Sequence, residues 1–312
     1  MAETKPSFHD RKGGWSSIND EGANLGSYGA VPPEGEPEIF AARDSLPELL
    51  VARFYFWDKV PDALSRIVGD PDSEHRLNAI DVALSKVSPT DLSILVSTRT
   101  TALLHRKDGV LASLAKLLDP DVKRWRDAIS PTSDHHSFSD PDIFLWLTSR
   151  SNSGGQLDSQ LSLTHIAGIH GTDSASRTAE LRSGIDYKRA NFLTSVAEGD
   201  TLGPVDLDLS MNTSAGAEHY NAVIFADGGF KLRKSEVYMP GILDGGELML
   251  AANMKIAHLI LRRIEHIYIA GMGKWKTERE DVIEGAITDL RDRYEAALAK
   301  LESVKNREPK AS

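Results

Sequence analysis

From about Gly246 to Arg307 the chain carries apolar seams long enough to dictate how its neighbours must pack. Leu250, Met254, Ala257, Leu261, Ile264 and Tyr268 recur at alternating spacings of four and three, the repeat that keeps one side of an α-helix apolar. Leu248, Ala252, Ile256, Leu259, Ile260 and Ile267 lie off that stripe. A helix that is apolar on more than one face belongs between two layers. Ile283, Ile287, Leu290, Tyr294, Ala297, Leu301 and Val304 repeat the seam further on, on a background of charged residues. Between the two seams Gly271-Met272-Gly273-Lys274-Trp275-Lys276 reads as a turn, and Thr277 with Glu280 fits a capping box. The expectation is a helical hairpin over 246–312, with Gly246 to Ile269 as the central helix and Thr277 to Arg307 as the outer one. The outer helix, about 45 Å long at 1.5 Å per residue, outreaches its partner.

The remaining chain divides by composition. Residues 1–37 hold many Gly and Pro and few aliphatic side chains, which predicts a flexible arm anchored at most through Trp15 and Tyr28. Residues 38–130 read as a helical subdomain of short helices broken at Pro47, Pro61, Gly69-Asp70-Pro71, Ser88-Pro89, Asp108-Gly109 and Asp119-Pro120. Leu92, Leu95, Val96, Leu103 and Leu104 would form one buried face, and Val110, Leu111, Leu114, Leu117 and Leu118 the next. The aromatic run Phe54, Tyr55, Phe56 and Trp57 supplies core anchors or a subunit contact. Residues 131–204 form a polar, loop-rich segment, the natural place for a partner-binding loop. Within 205–245 a small antiparallel β region is legible. Val205, Leu207, Leu209 and Met211 alternate with Asp206, Asp208 and Ser210, and Asp227-Gly228-Gly229 joins two strands in a hairpin. The fold class expected is therefore α+β, mainly helical, with residues 38–312 as one compact unit.

The composition, 40% hydrophobic and 26% charged, is that of a globular chain. Its net charge of −10 opposes phosphate backbones, so nucleic acid would need a local basic patch. Lys123, Arg124, Trp125 and Arg126 form one such cluster, and Lys231, Arg233 and Lys234 another; solvated surface explains both. With no cysteine, disulfides, thiolate nucleophiles and Cys-ligated metals drop out together. The polar N-terminus and the lack of a long apolar run predict neither signal peptide nor membrane span, and a cytoplasmic or virion setting.

Asp206 and Asp208 share one strand face, and carboxylates so spaced can hold Mg²⁺; an amphipathic strand with a wet acidic face explains the same letters. His135-His136 beside Asp134 and Asp140, and His165 with His170, lack the spacing that closes a metal site. Lys255, His258, Arg262 and His266 make a cationic stripe at spacings of three, four and four. It suits interhelical ion pairs or a bound phosphate or carboxylate. Arg99 and His105, with five residues between them on a presumed helix, resemble the Arg-x(4 to 6)-His motif of the HEPN ribonucleases. That resemblance implies a pair that stabilises the scissile phosphate and moves protons, usually across a dimer. Thr100 departs from the polar residue, often Asn, that follows the Arg there.

No nucleophile elbow, phosphate-binding loop, dinucleotide fingerprint or His-Glu-x-x-His is present. The expectation is thus a non-enzymatic subunit without cofactor that self-associates as a homo-oligomer, as viral, phage or scaffold proteins do, through the arm and the protruding end of the last helix. An intracellular hydrolase or HEPN-like ribonuclease is the alternative, and a module that binds another protein the third class.

Overall fold

The computed structural model describes residues 1, 4–18, 25–26, 30–32, 35–42, 46–60, 74–98, 101–130, 137–172, 178–181, 190–199, 201–242 and 245–305. Helix accounts for 39% and strand for 31% of the described residues. Two five-stranded antiparallel sheets appear among the described residues, so the chain is α+β without being mainly helical. Contacts cluster in two units, residues 1–135 and 136–312.

The first unit overturns the helical subdomain. Strands β3 (Leu49–Lys59), β4 (His75–Lys86) and β5 (Leu92–Ser97) pair in order, while β1 (Gly14–Ser16) and β2 (Glu38–Phe40) share the free edge of β3. The reason lies in β3, whose two faces are both covered. Ala52, Phe54 and Phe56 face helix α1 (Val110–Leu118), whereas Tyr55 and Trp57 turn the other way toward Leu77. A strand buried on both faces shows no alternation. In β4 and β5, apolar residues three or four apart, such as Leu77 with Ile80 and Leu92 with Leu95 and Val96, imitate a helical period. Within the expected second face, Val110, Leu111 and Leu114 are buried, but Leu117 and Leu118 are exposed.

The N-terminal arm is corrected as well. Trp15 pairs with Phe54 in register, is fully buried, and donates its indole N–H to Ser113 Oγ on α1 at 2.9 Å. The described part of the arm is thus a wedge in the first core; Tyr28 lies outside the described residues.

The second unit replaces the loop-rich segment with regular structure. Helix α2 (Ile143–Asn152), strands β6 (Leu161–Thr172) and β7 (Thr178–Leu181) and helix α3 (Ala190–Glu198) precede β8 (Thr201–Thr213), β9 (Gly216–Ile224) and β10 (Phe230–Leu232). The sheet order is β10-β9-β8-β6-β7. The β9–β10 hairpin forms as its Asp-Gly-Gly turn predicts, with Phe230 opposite Ile224. Three register shifts break β6. Its inward residues Leu161, Leu163, Ile166 and Ile169 therefore lose the spacing of two that marks a strand.

Gly155 closes the turn between α2 and β6 at φ +76°, where a Cβ would lie 2.0 Å from the Leu163 carbonyl oxygen. Its own carbonyl accepts the Leu163 N–H at 2.7 Å. Gly155→Ala is expected to cost at least about 1–2 kcal/mol from the left-handed backbone alone, read as a lower urea midpoint with an unchanged slope.

The hairpin is not formed. Helix α4 (Gly245–Lys255), a π-helical stretch (Ile256–Ile260) and helix α5 (Leu261–Lys305) run on without a break. Gly271-Met272-Gly273 lies inside the helix, and Thr277 caps nothing. The first seam holds only in part: Leu261, Ile264 and Tyr268 are buried in the second sheet's core together with Ala252, Ile256 and Ile260, whereas Met254 and Ala257 are buried outside that cluster and Leu250 is half-buried. Two glycines lower helix propensity by roughly 1 kcal/mol each. Trp275 (1% exposed) is buried immediately beyond them, and that packing outweighs their cost. No helix among the described residues is long and apolar enough to cross a membrane.

Candidate functional site

The structure disperses the candidates that the sequence suggests. Arg99 and Thr100 lie outside the described residues. His105 sits in a turn after β5 with its ring stacked on Trp125 at 5.6 Å between centroids. Among the described residues no α-helix carries the ribonuclease motif: 92–97 are strand and 101–103 a single 3₁₀ turn. Asp134, His135 and His136 are outside the described residues, and no group of three or more His, Asp or Glu side chains among those described is placed to hold a metal. In the basic clusters Arg124 is bound to Asp127 at 2.9 Å, and Arg233 to Asp206. Phe54, Tyr55, Phe56 and Trp57 are all buried core; burial pushes the Tyr55 phenol up to about 12.

The cationic stripe also comes apart. The π-helical stretch inserts an extra residue's worth of backbone into the turn and shifts the phase of everything after it. Lys255 points inward to Glu218 on β9 at 2.6 Å. Arg263, rather than Arg262, reaches Asp158 and Gln160. His258 and Arg262 are half-buried and His266 is exposed. Burial pulls the Arg262 guanidinium below its ordinary value, against the pull of Glu265. Burial works against the Asp158 carboxylate, yet Arg263 and the N–H groups of Gln160 and Leu161 hold it below its usual range.

Two polar assemblies escaped the sequence reading. In the first, Glu218 (4% exposed) accepts the Tyr220 hydroxyl at 2.6 Å on one oxygen and the Lys255 ammonium on the other. Burial and the adjacent Glu218 raise the Tyr220 phenol far above its ordinary value, so it stays a donor. No motif announces this trio, because β9 brings Glu218 and Tyr220 to the helix-facing side from residues remote in sequence from Lys255.

In the second, the N-terminus of α2 is clamped to α5. Asp140 accepts the Tyr268 hydroxyl at 2.5 Å; Asp142 accepts the Trp275 indole N–H at 2.7 Å and Arg279 Nε at 2.9 and 3.0 Å. Arg150, at the other end of α2, binds Glu278 at 2.5 Å, and Lys274 binds the same carboxylate at 2.7 Å. Carboxylates suit a helix N-terminus and cations its C-terminus. An Asp-x-Asp before the apolar run Ile143–Leu147 was the signal available in the sequence. Asp140, Asp142, Tyr268, Trp275 and Arg279 border a cavity of about 410 Å³ that Leu145, Leu202 and Met272 also line. Both carboxylates are already engaged by α5, so the arrangement acts as a helix clamp.

Asp206 and Asp208 do share a face, the one turned away from the helices. Asp206 is bound by Arg233, and Asp208 stands opposite Asn221 in register and accepts its Nδ2 at 2.6 Å.

Beyond the clamp, α5 leaves its own core. Val282, Ile283, Ala286 and Leu290 still pack on the second unit. From Arg291 to Ser303 every residue is exposed. Ile287, Tyr294, Leu298 and Leu301 are 51, 63, 61 and 53% exposed. Tyr294, Ala297, Leu298 and Leu301 recur at i, i+3, i+4 and i+7, the spacing of a helix face built to be covered. The chain matches no model of a known protein family and no curated protein.

Proposed function

We propose that the chain is a structural subunit that self-associates through the distal face of α5, in a virion or an intracellular scaffold. The observation that carries this reading is the run of half-exposed to exposed apolar side chains Ile287, Tyr294, Leu298 and Leu301 on a helix with no partner along 291–303 among the described residues. Solvent-facing helices spend such positions on charged residues; a repeated apolar face is the mark of helix-to-helix contact. Local charge supports a second copy as the partner. The chain as a whole carries −10, but along 291–303 Arg291, Arg293 and Lys300 balance Asp292, Glu295 and Glu302. Two such faces meet without net repulsion where the remaining surface opposes contact.

Sedimentation velocity over a concentration series tests this. The wild type is expected to form oligomers, whereas a Tyr294→Lys, Leu301→Glu variant, which alters two exposed side chains and leaves the net charge unchanged, sediments as a 34.1 kDa monomer. A wild type that stays monomeric at high concentration, or a variant that associates equally well, overturns the proposal. Because the contact is apolar, association is expected to persist in high salt, unlike one held by surface ion pairs.

A further inference from the structure

We propose that Asp206, Asp208 and Asn221 form a binding site for one calcium ion on the outer face of the second sheet. Asp206 Oδ1 and Asn221 Oδ1 are buried and have no hydrogen-bond partner among the described residues. Asn221 is 1% exposed although it lies on the face turned away from the helices. A buried orphan acceptor costs about 1–3 kcal/mol, and each such group calls for an explanation, an ion or a water among them.

The geometry narrows the choice. Asp208 and Asn221 are directly opposite in the β8–β9 register, and Asp206 stands two residues from Asp208 on the same face, opposite Val223. Asn221 turns its donor, Nδ2, onto Asp208 Oδ1, which leaves its amide oxygen for something else. Both orphans are acceptors, and neither the second N–H of Asn221 Nδ2 nor the Arg233 guanidinium reaches them. Arg233 holds Asp206 from its Oδ2 side, and Lys231, opposite Val223 in the β9–β10 register and so on the same face, sits over the Phe225 ring at 5.1 Å; neither cation donates to the orphan oxygens. A cation held beside the carboxylates satisfies both acceptors at once.

Carboxylate and amide oxygens are hard ligands, which excludes soft transition metals. Between the two common hard cations, Mg²⁺ sheds its water reluctantly and demands a near-ideal octahedron, whereas Ca²⁺ accepts amide oxygens and irregular geometry at 2.3–2.6 Å. The orphan oxygens are closed to solvent, so the ion that binds them must surrender water on that side. Half-buried Asp208 leaves the other side open for water to complete the shell. Three protein side chains, with Arg233 and Lys231 on the same face, predict an affinity on the order of 10⁻⁴ to 10⁻³ M.

Isothermal titration of the full chain with calcium chloride, with magnesium chloride as the comparison, tests the site. One calcium per chain is expected, with a rise in melting temperature, and magnesium is expected to bind about tenfold or more weakly. Asp208→Asn keeps the shape and the Asn221 hydrogen bond, and Asn221→Ala removes the amide oxygen. Each is expected to weaken calcium binding about tenfold or more and to abolish the thermal shift. Melting in the presence of a chelator establishes that both variants are folded. The absence of binding heat and thermal shift in the wild type at millimolar calcium overturns the proposal. So does undiminished binding in both variants, which would mark calcium held loosely by the acidic surface, and so does a preference for magnesium.

Discussion

Replacing Lys255 by methionine should destabilise the second unit by about 3–5 kcal/mol, the usual cost of stranding one member of a buried ion pair. Glu218 is 4% exposed and faces the helix layer, where Lys255 and Tyr220 are its two partners at 2.6 Å each. Methionine preserves the length and apolar stem of lysine, so packing changes little. What is lost is the charge that allows Glu218 to be buried as a carboxylate. Urea denaturation followed by far-ultraviolet circular dichroism reads the effect. The triple variant Lys255→Met, Glu218→Met, Tyr220→Phe removes every polar atom of the trio and should recover most of the loss, because a fully apolar replacement leaves no orphan behind. A single variant that loses less than about 1 kcal/mol would mean that water reaches Glu218 and that the pair behaves as a surface one.

The trio also shows why so much of this fold was hidden. The alternating segment Val205 to Met211 and the Asp-Gly-Gly hairpin were readable because β8 and β9 keep one face on the helices and turn the other away, so their letters carry the strand period. β3 offered no such contrast. With Phe54 and Phe56 under α1, and Tyr55 and Trp57 packed on the reverse side, burial on two faces erased the alternation. β6 lost its period to three register shifts. The helix that begins at Gly245 is legible from its stripe, but Gly271-Met272-Gly273 reads locally as a turn, because the burial of Trp275 four residues on leaves no trace in local propensity. Of the sites, the shared face of Asp206 and Asp208 was legible, since spacing by two on one strand is a local property. Asn221, Glu218 and Asp142 were not, because their roles depend on partners 13, 37 and 133 residues away.

Trp275 is the anchor that keeps α5 straight, and Trp275→Ala is expected to cost about 3–5 kcal/mol. The side chain is 1% exposed and packs in the second unit's core, while its indole N–H reaches Asp142 at 2.7 Å. Packing and hydrogen bond can be separated. Trp275→Phe retains most of the ring and leaves Asp142 held by Arg279, so it should lose only about 1–2 kcal/mol. The alanine variant should have a further, local consequence at Gly271 and Gly273, where the helix is intrinsically weakest. With the anchor gone, amides from 274 to 286 should lose hydrogen-exchange protection, while those of 252–264, held by Ala252, Ile256, Ile260 and Ile264 in the core, keep theirs. Neither glycine would meet another atom within 4 Å if it carried a Cβ. Adding Gly271→Ala and Gly273→Ala to Trp275→Ala should therefore restore about 1–2 kcal/mol through helix propensity alone and return protection to the same amides. If the two alanines leave exchange there as fast as before, the glycine pair is not the weak point, and the burial of Trp275 stiffens the helix by some route other than bridging that pair.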